Sequence, residues 1–220
     1  MAHEDRDEIA YRSIIGMILE NRLGPGDFLL ETELADLLQI SRTPVRHALA
    51  RLVAEGFLEK RRKKGCIIPK PTAEDAQQVF FARKAVESQT SAAAALYATE
   101  EEIRSFRNIL VQQEKAFKSN DKEAYSTLNE QFHLGIAQAG RNIYLDRYCR
   151  QIFWRSNLYI FFFDRFYISR DNDPDHHLTI QQHQKILQAI SDKDSQSASA
   201  AMIDHLENTY LKLIMPWKRE

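Results

Sequence analysis

Three histidines are the residues best placed to do chemistry. His133 stands in LNEQFHLGIAQAG, His183 in QQHQKILQAI and His205 in AAMIDHL, three stretches with helical patterning. Each lies beside apolar residues: Ile186, Leu187 and Ile190 follow His183, and Met202 and Leu206 flank His205. Asn129 and His133 are four apart, so both point to one side of one helix. Side chains that face one another inside a helical bundle commonly form metal sites. Neutral imidazoles suit zinc, nickel, iron or copper, and three of them with an oxygen donor leave a position open for water or a ligand. A lone histidine near an apolar face is more often a hydrogen-bonded core residue, so spacing alone leaves both readings open. The same three-histidine arrangement also serves catalytic zinc. Here no HExxH or comparable motif supplies a general base, which argues against a metalloenzyme with a DNA-binding arm.

A second group of residues suits a polyanion. Arg42 and Arg46 are four apart in SRTPVRHALARLVAEG, opposite the apolar stripe Val45, Leu49, Leu52 and Val53. Arginine matches guanine O6/N7 or paired phosphate oxygens. Ser41 is placed to cap this helix, Pro44 falls in its first turn, and Gly56 ends it. Arg61, Arg62, Lys63 and Lys64 then form the basic bend between two short extended pieces, FLEK and GCIIPK. Between Arg42 and Lys70 nine Lys or Arg stand against two Glu, inside a chain of net charge −1. One concentrated basic segment on an otherwise acidic body points to nucleic acid, although a solvated charged face has the same composition.

The elements that must position these residues follow from periodicity. A helix is expected over residues 4–22, ending at Gly24-Pro25-Gly26-Asp27, then a short helix in ETELADLLQI with Leu34, Leu37 and Leu38 inward. With the Arg42–Arg46 helix and the basic hairpin this is the order of a winged helix-turn-helix. Pro69 and Pro71 mark a linker, and Thr72 with Asp75 reads as a capping box. Six helices are expected beyond it, at about 73–97, 100–119, 121–139, 142–166, 175–191 and 194–214, with no strand. The predicted fold is therefore mainly α. A winged helix-turn-helix over residues 1–70 precedes an all-α antiparallel bundle over 71–220 that binds a ligand and dimerises.

Composition agrees with this. Seven Gly and six Pro in 220 residues favour helices over loop-rich β folds. Cys66 and Cys149, far apart and without CxxC spacing, fit a reducing cytoplasm. The N-terminus is acidic and lacks a signal-peptide core. The most apolar run, Leu158 to Phe163, falls far short of the ~20 residues of a membrane span. Phe161, Phe162 and Phe163, with Trp154 and Tyr159, are expected to pack the bundle or a subunit contact, and His176 and His177 to be surface or cap residues.

The stretch LGPGDFLLETELADLLQISRTPVRHALARLVAEGFLEKRRKKG resembles the GntR family of bacterial regulators. The likeness lies in the L-x-P-G-x start, the E-x-x-L-A helix, S-R-T-P-V-R-x-A-L and L-x-x-E-G-x-L, over residues 10–70. It implies base and phosphate contacts from Arg42, Thr43 and Arg46, with Gly65 in the wing; by their placement Ser41 is expected at the same surface, and Arg62, Lys63 and Lys64 along the DNA backbone or minor groove. Thr32 departs from the pattern where many relatives carry an Arg. Residues 73–214 are similar to the FCD ligand-binding domain of the FadR-type subfamily, through N/D-x-x-F-H, H-x-x-I-L-x-A-I and M-x-x-H-L. In its metal-binding branch the positions of Asn129, His133, His183 and His205 are ligands, the first most often Asp, and a divalent metal such as zinc or nickel is implied. Arg83 and Glu87 match R-x-x-x-E in the first helix of that domain. Arg83 is thus a candidate partner for an effector carboxylate, or a structural partner of Glu87. The resemblance implies a homodimer on a roughly palindromic double-stranded operator and a small organic acid effector, with no membrane involved. The alternative is a metal-free pocket for an acyl-type ligand.

Overall fold

The computed structural model describes residues 6–61, 65–168 and 177–216. The head begins with α1 (Arg6–Leu19), whose Ala10, Ile14, Ile15 and Ile18 turn inward, followed by β1 (Phe28–Leu29). Helices α2 (Glu31–Leu38) and α3 (Arg42–Ala54) form the helix-turn-helix, and β2 (Glu59–Arg61) and β3 (Gly65–Ile67) the wing. Val45, Ala48, Leu49 and Leu52 are the buried stripe of α3. Gly56, in the left-handed region at φ 78°, ends the helix as expected.

Three details differ from expectation. The sheet has three antiparallel strands in the order β1-β3-β2, because Phe28 and Leu29 pair with Ile67 and Cys66. A two-residue strand is too short to show alternation in sequence. Leu37, expected inward, is 55% exposed, since Leu34 and Ala35 fill the α2 contact with α3. Ser41 occupies the N-cap position, yet its hydroxyl makes no capping bond and stays on the surface.

The body comprises α4 (Ala73–Tyr97), α5 (Glu100–Lys118), α6 (Lys122–Ala139), α7 (Ile143–Phe163), the single turn α8 (Arg165–Ile168), α9 (His177–Ser191) and α10 (Ser195–Lys212). Helix α4 is the axis of the bundle, packing on α6, α7, α9 and α10. Thr72 caps it by accepting from the Asp75 N–H, but Asp75 turns away to Tyr159 and Arg155, so the box is half formed. Thr99 and Glu102 form the complete reciprocal box at α5. The expected 142–166 helix breaks at Asp164, whose extended backbone ends α7 and whose carboxylate accepts from the Phe166 N–H. Residues 171–176, which include the expected break and His176, lie outside the described residues.

One apolar core runs through head and body, joining Ile14, Leu52 and Phe57 to Phe153, Trp154 and Leu158. A second surrounds Phe106, Phe132, Ile186 and Met202 at the far end of the bundle. Each large apolar side chain taken fully out of water contributes about 1.5–3 kcal/mol, so the shared core fixes where the head rests. The aromatic cluster of α7 therefore does more than fill the bundle. The Trp154 ring stands edge-on to Tyr11 and Phe57 of the head at 5.9 and 6.1 Å.

Candidate metal centre and DNA-reading surface

Helices α6, α9 and α10 bring His133, His183 and His205 together, all three buried. One ring nitrogen from each lies within 4.8 Å of the other two. The remaining nitrogens are held from outside. His133 Nδ1 is 2.6 Å from Glu87 Oε2, His183 Nδ1 is 2.9 Å from Gln113 Oε1, and His205 Nδ1 is 3.1 Å from Gln182 Oε1. Carboxylate and amide oxygens only accept, so each imidazole donates from Nδ1 and its Nε2 carries the bare lone pair. Three lone pairs converge on one small space. That is the donor arrangement a cation completes, with the outer partners fixing tautomer and ring orientation.

The spacing fits. His183 Nε2 and His205 Nε2 are 3.3 Å apart. Nitrogens bound to a tetrahedral zinc at about 2.05 Å stand about 3.3 Å from each other. Burial pushes the His133 imidazole below its ordinary value despite Glu87, and burial with the two neighbouring imidazoles pushes His205 well below. Both shifts favour the neutral imidazole that ligation requires. Asn129 lines a cavity with His133 and His205, and its Oδ1 accepts from Gln113 Nε2 at 3.4 Å. A carbonyl oxygen has a second lone pair, so this bond orients the amide without consuming it.

Arg83 and Glu87, one turn apart on α4, are each 1% exposed. Arg83 donates from Nε and Nη2 to the two Glu87 oxygens, and from Nη1 to Ser156 Oγ at 3.1 Å. Burial works against a charged Glu87, yet the Arg83 guanidinium and His133 hold its carboxyl down at about 2. Of the two roles expected for Arg83, pairing with Glu87 is thus present in the fold. Arg83 also lines the cavity with Asn129, His133, His205, Thr179 and Thr209. The cavity is small, about 30 Å³. Sequence reasoning missed Glu87, Gln113 and Gln182 as histidine partners. The Arg83–Glu87 spacing was visible, but glutamines on α5 and α9 gave no signal that they face a site.

On the head, Ser41, Arg42, Thr43 and Arg46 are exposed together on the leading turn of α3. Arg42 reaches Glu31 only loosely, at 3.9 Å. Gly65 is in the left-handed region at φ 76°, and a Cβ there would meet Leu29 O at 2.6 Å. The wing crosses β1 so closely that only glycine fits. Arg62, Lys63 and Lys64 lie outside the described residues.

An exposed helix-turn-helix with a wing, joined to a helical body that holds a histidine-lined cavity, is the build of a DNA-binding regulator. The chain belongs to the GntR family. Residues 7–68 match the family model described as bacterial regulatory proteins, gntR family, and residues 78–208 match the FCD domain. It is similar to the Uxu operon transcriptional regulator of Escherichia coli (strain K12), 31% identical over 90% of this chain and 82% of that protein. The Nta operon transcriptional regulator of Aminobacter aminovorans is 27% identical over 90% of both chains. Among solved structures, E. coli McbR/YncC superimposes with a TM-score of 0.76 at 20% identity, covering 94% of this chain and 96% of that one. A GntR regulator from Rhodococcus sp. RHA1 gives 0.67 at 19%, with the same coverage. At that identity the structures speak to fold alone. The named relatives are regulators, not enzymes, and this chain is a DNA-binding transcription regulator of the GntR/FCD type. Among the described residues no helix is long and apolar enough to cross a membrane.

Proposed function

We propose that the chain is a ligand-responsive regulator of a bacterial metabolic operon whose effector is a small organic acid bound in the helical domain. In this reading residues 1–70 read DNA and residues 71–220 sense the ligand and hold two copies together. Arg42, Thr43 and Arg46, with Ser41 beside them, meet bases and phosphates of one half of a roughly palindromic operator. Arg62, Lys63, Lys64 and the Gly65 backbone follow the adjacent strand. His133, His183, His205 and the Asn129 amide oxygen hold a divalent metal, zinc or nickel. When bound, the ion supplies a Lewis-acid anchor for an oxygen donor such as a carboxylate. Arg83 keeps N–H groups beyond those given to Glu87 and Ser156, and these lend positive charge to the effector end of the cavity.

The observation that supports this reading is the outward anchoring of all three Nδ1 atoms, which leaves three lone pairs aimed at one point. A metal-free acyl pocket fits less well, because Arg83, Asn129, Thr179 and Thr209 set polar groups among Tyr125, Ile160 and Tyr167, where an acyl chain needs a continuous apolar lining. The test is a thermal-shift screen of sugar acids, dicarboxylates and amino acids, with and without added zinc. A true ligand of the folded state raises the melting temperature. At least one acid should do so only with metal present and should change operator affinity in a gel shift. Stabilisation by acyl ligands independent of metal would reject the reading.

A further inference from the structure

The helix that carries Asn129 and His133 packs on α1 of the head and also reaches the head through a side chain of α7. Glu130, next to Asn129 on α6, accepts from Trp154 Nε1 at 3.2 Å. Trp154, 2% exposed, presents its edge to Tyr11 on α1 and to Phe57, three residues beyond the end of α3. Tyr11 in turn donates to Glu55 Oε2 at 2.8 Å, and Glu55 is the C-cap residue of α3. Arg51 of α3 lies over the Tyr11 ring at 3.7 Å and donates to Glu55 at 3.0 Å. The neighbour of Trp154 on α7, Phe153, packs on the His133 ring at 5.5 Å, and Ser156 takes the Arg83 guanidinium. Helix α7 therefore stands between the cavity and the head, with Trp154 against α1 and the turn after α3, and Phe153 against His133.

Another head–body contact lies apart from these. Arg155 bridges Asp75 at 3.0 Å and Glu59 of the wing at 3.8 Å, and Tyr159 donates to Asp75 at 2.6 Å. It docks the head on the start of α4 and includes no residue of α6.

We infer that Trp154 is a positioning residue that transmits the state of the α6 site to the recognition helix, through its bond to Glu130 and its edge contacts with Tyr11 and Phe57. The inference rests on the proposed ligand site in α6. A shift of α6 moves the Glu130 carboxylate. The indole follows it because a buried N–H left without an acceptor costs about 1–3 kcal/mol. The ring displaces Tyr11 and Phe57, which are too closely packed to absorb the motion. Coupling of this kind is reciprocal, so holding the head on DNA should also tighten the site.

The test is amide hydrogen exchange on the full chain with and without zinc, read separately over α6 and over residues 42–58. In the wild type, zinc should slow exchange in both segments. Trp154→Phe keeps an apolar ring and drops the N–H, and Glu130→Ala removes the acceptor. In both, zinc should still protect α6 while the response of residues 42–58 falls by roughly three-fold or more. Glu130→Gln retains an oxygen acceptor and should restore the response. Asp75→Asn, at the other head–body contact, should speed basal exchange in the head yet leave its zinc response intact, which a merely structural role for Trp154 would not separate. Protection of α6 without any effect on residues 42–58 in the wild type overturns the relay and leaves the metal reading standing. Zinc that binds nowhere removes the metal reading. Residues 42–58 must then still exchange at least about two-fold faster in metal-free Glu130→Ala than in the wild type, and an unchanged rate overturns the relay.

Discussion

Glu87 Oε2 lies 2.6 Å from Nδ1 of His133, and the same carboxylate is gripped by Arg83. One buried acid thus neutralises a buried guanidinium and sets the tautomer of a candidate ligand. The two roles give separable expectations. Glu87→Gln keeps the shape but leaves Arg83 buried without its counter-charge, a loss of about 3–5 kcal/mol in chemical denaturation. The variant that does fold should bind zinc about 10- to 100-fold more weakly by calorimetric titration, because the partner that orients His133 is impaired. Unchanged zinc affinity would separate Glu87 from the centre.

Arg46→Ala should cost about 1–3 kcal/mol of operator affinity, roughly 5- to 150-fold at fixed salt, if Arg46 reads a base edge. Gel shifts at constant ionic strength check this, with a scrambled duplex as reference. Equal loss on both duplexes would make Arg46 a phosphate contact; wild-type affinity on both would reject α3 as the reading surface.

Gly65→Ala places a Cβ 2.6 Å from Leu29 O in a left-handed backbone. The expected cost is about 2–3 kcal/mol, from positive φ and from moving β1 away from the wing. A melting curve should show a drop of roughly 4–10 °C. A drop of less than about 1 °C would mean that the β1–β3 crossing is looser than this geometry.

At the head–body boundary two acids share a poorly hydrated space. Burial raises the Glu55 carboxyl above its ordinary value against the pull of Tyr11, Arg51 and Arg150. Burial and the Glu55 charge raise Glu130, against Trp154, Arg51 and Arg150. Because the folded values are raised, the stability these groups lend is present below the unfolded carboxyl value. It is lost as pH climbs through the folded ones. Glu130→Gln is neutral throughout, so its melting temperature relative to wild type should increase from about pH 4 to pH 7. A difference that is flat or decreases over that range would place the Glu130 carboxylate in a well-hydrated environment.

Much of this was legible in the residues. The α3 stripe, the Arg42–Arg46 face and Gly56 as terminator came from 3.6-residue periodicity and capping chemistry, which act within one helix and survive folding unchanged. Spacing could suggest that His133, His183 and His205 converge but could not establish it, since convergence depends on how three helices separated by long stretches of chain pack. Gln113 and Gln182 were invisible for the same reason, because a polar side chain facing inward differs from one facing water only after the bundle closes. Leu37 faces outward because Leu34 and Ala35 take the buried side of the short helix α2. The expected boundary at residue 70 rests on Pro69 and Pro71, local signals that could not show the packing of Trp154 on Tyr11 and Phe57 across it.

The most direct measurement is the metal content of untagged protein purified without chelator, taken together with that of His183→Ala. His183 touches both Gln113 and His205. Elemental analysis should give about one zinc or nickel per wild-type chain and much less in the variant, with added metal raising the melting temperature of the wild type alone. A wild-type protein free of metal, whose melting temperature ignores added zinc and nickel, would contradict the metal centre.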